Sequence, residues 1–310
     1  FLESVEDNQS ISPADLIGQF GVGFYSIFMV ADKVEVISQS YRPDAEAVKW
    51  ISYGEETYEI EPAEREHRGT DVILYLTDDA NEYLQEHRLR QIINTHSNYI
   101  AFPIYIGEAE EAVNDQQAIW RRPSSEIEDE EYNSFYKSLT LDFKEPLLRI
   151  HSSADAPVQY YALLYIPTSR EPNMFSPRKE PGLKLYARKV LIQDYCTDLL
   201  PEYLSFVQGA VDSEDLPLNV SRETVQANRI MINLEKAITG RVLRDLKNLA
   251  NNDPEKYAEF WEEFGPFIKQ GMVVDPQNHD RLIPLLRFYS SNSEDELISL
   301  DDYVQNMQEV

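Results

Sequence analysis

The sequence predicts an α+β fold, an α/β sandwich in which an antiparallel sheet is layered with helices. Three observations carry this. Between Lys33 and Leu76, four short stretches alternate apolar and polar residues with period two. Beyond Val225, two long stretches repeat apolar residues with helical period. The 310 residues also exceed what one hydrophobic core usually serves, so two domains are expected.

The strands come first. "KVEVISQS", "AVKWISYG", "TYEIEPA" and "GTDVILYL" are rich in β-branched and aromatic residues, and short turns such as "YRPDAE" and "EREHRG" separate them. Connections this short suit an antiparallel meander and exclude the long crossovers of a parallel sheet. A helix is expected over "NEYLQEHRLRQIINTHSNYIAF", with Leu84, Leu89, Ile92, Ile93 and Tyr99 along one stripe.

The polar, acidic stretch from Ile106 to Pro123 is the first plausible domain boundary. It gives domains at 1–107 and 119–310, with a short linker at 108–118. "SSEIEDEEYNSFYKSL" then starts a helix, with Ser125 and Glu128 at capping-box spacing. Its acids, Glu126 to Glu131, read either as a binding surface or as a solvated first turn favoured by the helix dipole.

Strands return in "LLRIHSS", "VQYYALLYIP" and "GLKLYARKVLI". "ANRIMINLEKAITGRVLRDLKNLA" is a long amphipathic helix with Ile232, Leu234, Ala237, Ile238, Val242, Leu246 and Leu249 on one face. "NNDPEKYAEFWEEFGPFIKQG" is another, with Asp253 as N-cap and Pro254 in the first helical position. The end of the sequence reads as an uncapped helix-like pattern.

Composition narrows the function classes. With 28 Lys and Arg against 55 Asp and Glu, the net charge is −27. Such a chain repels nucleic acid and anionic membranes unless its basic residues cluster, and they form no run longer than "WRRP" or "SPRK". A single cysteine, Cys196, excludes an internal disulfide and fits a reducing compartment. The five histidines lie far apart, without metal-ligand spacing, so no metal site is expected. The most apolar window, Leu16–Ala31, is too short for a membrane span, which needs about 20 residues. The acidic opening "FLESVEDNQS" is unlike a secretory signal, and the sequence as given reads as part of a longer chain.

The segment "LIGQFGVGFYSIFMVADKV" places Gly18, Gly21 and Gly23 in G-x-x-G-x-G spacing before a plausible helix, "FYSIFMVA". Glycine permits positive φ and lets a ligand approach the backbone, and the free N–H groups of a helix start attract anions. Spacing alone leaves two readings open, a phosphate loop or tight helix packing.

That segment, followed by "RGTDVILYL", "AIWRRPSSEIEDEEYNSFYKSL", "GLKLYARKVLI" and "VDSEDLPLNVSRETVQ", closely resembles the heat-shock protein 90 chaperones, motif by motif, in family order and over essentially the whole chain. The opening looks like the bacterial form of the family, and the short linker points the same way.

The resemblance implies a left-handed βαβ (Bergerat) ATPase domain whose later part is present here, followed by an α-β-α middle domain. By that resemblance Gly18, Gln19, Phe20, Gly21, Val22, Gly23 and Phe24 form a lid-hinge loop on the nucleotide phosphates, and Thr70 lies near the adenine. A plain strand threonine is the alternative for Thr70. Arg222 would reach the γ-phosphate, with Gln226 one helical turn on the same face. A surface pair with Glu223, or a salt bridge to Asp215, is the alternative for Arg222.

Trp120, Met174 and Phe175 are the implied client contacts, with packing against the sheet as the alternative for the last two. The implied cofactor is ATP with Mg²⁺. The implied partners are unfolded or partly folded clients and a second copy joined through a C-terminal domain, in the cytoplasm or an organelle. The family's catalytic Glu, Mg²⁺-binding Asn and adenine-reading Asp find no match in the sequence, so this chain alone is expected to be inactive as an ATPase. A non-catalytic client scaffold and another ATPase of the superfamily, of the topoisomerase or mismatch-repair type, are the competing readings.

Overall fold

The computed structural model describes residues 23–42, 44–170, 180–216, 229–291 and 293–307. They form two compact units, described separately. The first takes in the described residues up to Thr95 together with Ile104–Val113; the second takes in His96–Pro103 and the described residues from Asn114 on.

The first unit is built on four antiparallel strands, β1 (Ala31–Gln39), β2 (Ala47–Ser52), β3 (Tyr58–Ala63) and β4 (Gly69–Leu76). All four fall where the alternation predicts them, but their order is β3-β2-β1-β4, so the sheet is not a simple meander. The chain passes from β3 back across to pair β4 with β1, the longest strand. β3 is left at an edge, where Pro62 and the exposed Glu59 and Glu61 suit a strand with one unpaired side.

Register fixes the faces. Val34 lies between Ser52 and Leu74, Val36 between Trp50 and Val72, and Ser38 between Val48 and Thr70, so these side chains share one face. The other face carries Lys33, Glu35, Lys49 and Glu61, with ion pairs Lys33–Glu35 (2.7 Å) and Lys49–Glu61 (3.0 Å).

Two helix expectations change in this unit. "FYSIFMVA" is not an α-helix: Gly23–Met29 is a 3₁₀ segment, in which the Ser26 hydroxyl donates to the Gly23 carbonyl at 2.7 Å. The helix expected over residues 81–102 shortens to α1 (Glu86–His96), none of whose residues is buried. Leu84 lies in a preceding 3₁₀ turn and is exposed. Tyr99 belongs to the second unit, where it packs on Trp120 and Tyr186.

The second unit centres on a five-stranded sheet of β5 (Leu148–Ala154), β6 (Tyr160–Ile166), β7 (Leu183–Ala187), β8 (Val190–Cys196) and β9 (Gln208–Ser213), in the order β5-β6-β9-β7-β8. The β7–β9 pairing is parallel and the others are antiparallel, so the sheet is mixed. Both faces are covered. Tyr160, Ala162, Leu164 and Ile166 of β6 enter one core with α3 (Arg229–Asn252) and α4 (Pro254–Val274). Leu163 and Tyr165 enter another with Trp120 and α2 (Asp129–Thr140). Double burial explains why "YYALLYI" shows almost no polar alternation. The sheet packs closely: a Cβ on Gly209, whose φ is +144°, would lie 2.2 Å from the Leu163 carbonyl oxygen.

"GLKLYARKVLI" is not one strand but a hairpin, turning at Arg188 and Lys189 with φ of 51° and 67°. Side chains other than glycine rarely adopt this region. Here the turn is held from outside, since the Lys189 amide donates to the buried Asp212 carboxylate at 3.2 Å.

The capping expectations divide. Asp253 caps α4, accepting the Lys256 amide at 3.1 Å, with Pro254 opening the helix. α2 begins at Asp129 rather than after Ser125, and its cap is Glu128, whose backbone N–H donates to the Glu131 carboxylate at 3.1 Å. Ser125 lies in a separate 3₁₀ turn. The acids of this stretch are partly spent on internal ion pairs, Arg122–Glu131 at 2.5 Å and Arg149–Asp129 at 2.8 Å, as a structural first turn requires.

Along α3, Leu234, Ile238, Val242 and Leu246 are buried, whereas Ile232 is exposed. It sits two residues from Leu234, roughly 200° round the helix and off the stripe. The uncapped helix expected at the end is instead a hairpin, β10 (Phe288–Ser290) with β11 (Ser293–Ile298), followed by α5 (Leu300–Gln305). α5 has its own cap, with the Ser299 hydroxyl accepting the Asp302 amide at 3.0 Å.

Candidate functional site

In the first unit, Thr70 lies opposite Ser38, and their hydroxyls hydrogen-bond at 2.8 Å. On the same face, two residues along β1 and across to β2, is Trp50. Phe24 meets Trp50 edge to face, with ring centroids 5.7 Å apart. The sheet therefore brings Phe24 and Thr70 to one face and fills the space between them with Trp50, Val36 and Val72. Val48, Ile60, Tyr58 and Val72 on this face are exposed. Gly23 opens the 3₁₀ segment and has nothing within 4 Å of where a Cβ would stand, so a side chain would fit there.

The second unit holds a buried polar network around Asp212, at the end of β9. Asp212 has no exposed surface. Its carboxylate accepts the Trp120 indole N–H at 3.1 Å and the Arg121 Nε–H at 2.6 Å, besides the Lys189 amide. Arg121 also donates to Glu214 at 2.6 Å and lies 4.8 Å over the Tyr161 ring. Burial pushes the Arg121 pKa down, but the bonds to Asp212 and Glu214 outweigh it and raise the pKa above its ordinary value. A buried carboxylate with three donors, one of them charged, is a satisfied group.

The chain is pinned again just beyond. The Ser213 hydroxyl donates to the Gln159 carbonyl at 2.5 Å, the Glu214 amide to the Gln159 side-chain carbonyl at 2.8 Å, and the Gln159 amide to the Asp215 carboxylate at 2.8 Å. The ladder between β6 and β9 ends at Tyr161 and Asp212, and these side chains extend it.

Trp120 requires a correction. It is fully buried, against Tyr99, Phe135 and Tyr186, so it offers no face to a client and is a core residue of this unit. Its backbone carbonyl also fixes His151. That carbonyl can only accept, so His151 donates from Nε2 at 3.0 Å, and Nδ1 accepts the Tyr132 hydroxyl at 2.6 Å. Burial lowers the His151 pKa, and the nearby Arg149 and Arg241 charges add to the effect.

Gly18, Gln19, Phe20, Gly21, Val22, Met174, Phe175, Arg222 and Gln226 lie outside the described residues. Among the described residues no group of three or more His, Cys, Asp or Glu side chains is placed to hold a metal ion. No helix among them is long and apolar enough to cross a membrane.

Sequence reasoning missed Ser38 and Trp50, which only the strand register brings to Thr70 and Phe24. It also missed Asp212, Arg121 and Gln159. A usable signal existed for Asp212, because a carboxylate inside the apolar run "FVQGAVDS" requires buried donors.

A family model described as "Hsp90 protein" matches residues 107–310. The chain is 44% identical over 310 residues to "Chaperone protein HtpG" of Desulfitobacterium hafniense, with 100% of this chain and 50% of that protein covered. It is 43% identical over 311 residues to the protein of the same name from Chlorobium chlorochromatii, at 99% and 49% coverage. The Yersinia enterocolitica protein of that name is 43% identical over 320 residues, at 100% and 51% coverage. The chain thus spans about half the length of the curated relatives it matches.

Proposed function

Because the chain belongs to the Hsp90 family, we propose that it is part of an ATP-dependent chaperone, a homodimeric clamp that binds unfolded or partly folded proteins during folding and stress. The observation that carries the nucleotide part of this reading is the register of the first unit, which sets Thr70 and its Ser38 partner on the apolar face that Phe24 and Trp50 share. A purine can lie on that face, with a hydroxyl within reach of its polar edge.

On this reading the backbone N–H groups of Gly18, Gln19, Phe20, Gly21, Val22, Gly23 and Phe24 receive the phosphates. Arg222 brings a permanent charge to the γ-phosphate, where negative charge develops on the transferring oxygens, and Gln226 supports it from the next turn. Mg²⁺ accompanies the nucleotide, and among the described residues no ligand cluster is placed to hold it. In the same reading the two units are the later part of a Bergerat-type ATPase domain and a middle domain, 1–107 and 119–310, joined through 108–118. Met174 and Phe175 are client contacts, since Met and Phe adapt to varied apolar partners. A cytoplasmic location fits the single buried cysteine.

The test uses the full-length protein. Thr70→Val keeps the β-branched shape and removes the hydroxyl. A hydrogen bond of about 1 kcal/mol corresponds to roughly fivefold weaker ATP binding by calorimetry, and the lost bond to the exposed Ser38 hydroxyl lowers the melting temperature only slightly. Unchanged affinity overturns the placement of Thr70. Suppression of client aggregation that is indifferent to ATP overturns the ATP-dependent reading and favours a passive scaffold.

A further inference from the structure

β5 is an edge strand. In the order β5-β6-β9-β7-β8 it pairs with β6 alone. The register says which of its backbone groups are left over. The Leu147 amide donates to the Ile166 carbonyl at 2.8 Å, so Ile166 faces β5, and the alternate residues behind it, Leu164 and Ala162, face the same way. Their partners Leu148, Ile150 and Ser152 therefore bond inward. The backbone N–H and C=O groups of Arg149 and His151 point away from the sheet. The Arg241 guanidinium agrees with this direction, since it donates to the His151 carbonyl at 3.4 Å from outside the ladder.

The edge is not covered by its neighbours. A groove of about 550 Å³ lies between α2 and α3, and Leu148, Arg149, Ile150 and His151 all line it. Consecutive strand residues point to opposite faces, so a groove that meets four in a row follows the edge and not a face. Three backbone groups are left there without a strand partner: the Arg149 N–H, the Arg149 C=O and the His151 N–H.

Such edges are usually guarded, most simply by a charged side chain. Arg149 is a side chain of that kind, but it is folded back onto α2. Its guanidinium lies 3.8 Å over the Tyr132 ring and pairs with Asp129 at 2.8 Å. The other arginine of the groove, Arg241, pairs with Asp245 at 2.6 Å. The carboxylates and guanidinium groups that line the groove thus match one to one, in a chain of net charge −27. A charged segment entering the groove would compete with these pairs, and an acidic one would also be repelled by the chain as a whole. An uncharged segment disturbs neither pair.

We propose that the open edge of β5 at Arg149–His151 is a docking groove for an uncharged, extended segment of a client protein, which adds to the sheet as a further strand. The identity of the occupant rests on the chaperone reading above. That an extended main chain fits follows from the edge itself, whose unpaired donors and acceptor ask for another backbone.

The experiment uses the full-length protein and a fluorescein-labelled hexapeptide of alternating Thr and Val, with a counterpart N-methylated at every residue. On binding, hydrogen exchange read by mass spectrometry is expected to slow at about two amides within residues 147–154, those of Arg149 and His151. The N-methylated peptide, which cannot donate, is expected to leave exchange unchanged. Arg149→Pro removes the outward N–H without touching the ladder to β6, a place where an edge strand tolerates proline. Arg149→Ala removes the same side chain and keeps the N–H. By fluorescence anisotropy, peptide affinity is expected to stay within about twofold for Arg149→Ala and to weaken at least about tenfold for Arg149→Pro, with close urea midpoints for the two variants. If the proline variant does not fold, the exchange measurement on the unaltered protein still decides.

No binding of the peptide, binding without protection of residues 147–154, or equal affinity of the alanine and proline variants overturns the proposal. Each of these outcomes leaves the chaperone reading standing. That reading falls instead, and the client as occupant with it, if the full-length protein fails to suppress client aggregation.

Discussion

Replacing Trp120 tests the second unit where one of its two cores meets its buried charge. The side chain is fully buried and touches three aromatic rings, and its indole N–H is one of three donors to Asp212. Trp120→Ala removes a large ring from a packed core, which typically costs about 3–5 kcal/mol. It also strips a donor from a carboxylate with no access to water, a loss on the order of 1.5–3 kcal/mol. The two overlap, and about 4–6 kcal/mol is expected in total.

Trp120→Phe retains most of the packing and loses the N–H, so about 2 kcal/mol is expected. With a urea m-value of about 3 kcal/mol/M for a unit of this size, the midpoint should fall by about 1.5 M for alanine and about 0.7 M for phenylalanine. The assay is urea unfolding followed by far-ultraviolet circular dichroism, whose helical signal is dominated by α3 and α4. The phenylalanine variant keeps the measurement meaningful if the alanine variant does not fold. A midpoint unmoved by either substitution, together with weakened client binding, would show that Trp120 works at the surface and would refute the burial argument.

Two further outcomes follow from titrating groups in the same unit. The His151 pKa is depressed by burial from its ordinary value of 6.5, so on acidification the unfolded chain takes up the proton first. Stability should be flat above about pH 6.5 and fall below it, and His151→Gln should flatten that fall; parallel urea midpoints for both proteins between about pH 7.5 and about pH 5.5 would contradict this. The Cys196 thiol is buried and pushed up to about 11 from 9.0, mainly by burial. At pH 8 its thiolate fraction is then roughly a hundredfold below that of an open thiol, so alkylation should be slow in the native protein and fast in urea; rapid native labelling would exclude this burial.

Much of the fold was legible because strand and helix periods are local properties. "KVEVISQS", "GTDVILYL" and the stripe of α3 declare themselves within a dozen residues. What failed was non-local. Nothing in "GTDVILYL" says that it returns to β1 instead of continuing from β3, since that depends on which strand has two free sides. The hairpin inside "GLKLYARKVLI" was hidden because Arg and Lys are poor turn residues, and the Asp212 carboxylate that steadies the turn arrives from later in the chain. Ser125 lost the helix cap to Glu128 for a smaller reason: two candidates stood three residues apart, and the chain took the one whose N–H Glu131 could accept.

The candidate sites divide along the same line. Thr70 and Phe24 came from motif likeness, and the register then supplied what the motif could not, a shared face with Ser38 and Trp50 as its other members. Trp120 shows the opposite case: the resemblance implied a client contact, and its partners put it in the core. Its neighbours Arg121 and Asp212 give the physical reason. An ionised carboxylate fully removed from water persists only if charged and neutral donors converge on it. An aspartate in the apolar run that forms β9 therefore demands such donors. Trp120 and Arg121, adjacent in sequence, reach it together only if the tryptophan goes inside with them. The burial of Trp120 is thus a consequence of the charge on Asp212 as much as of its own apolar surface.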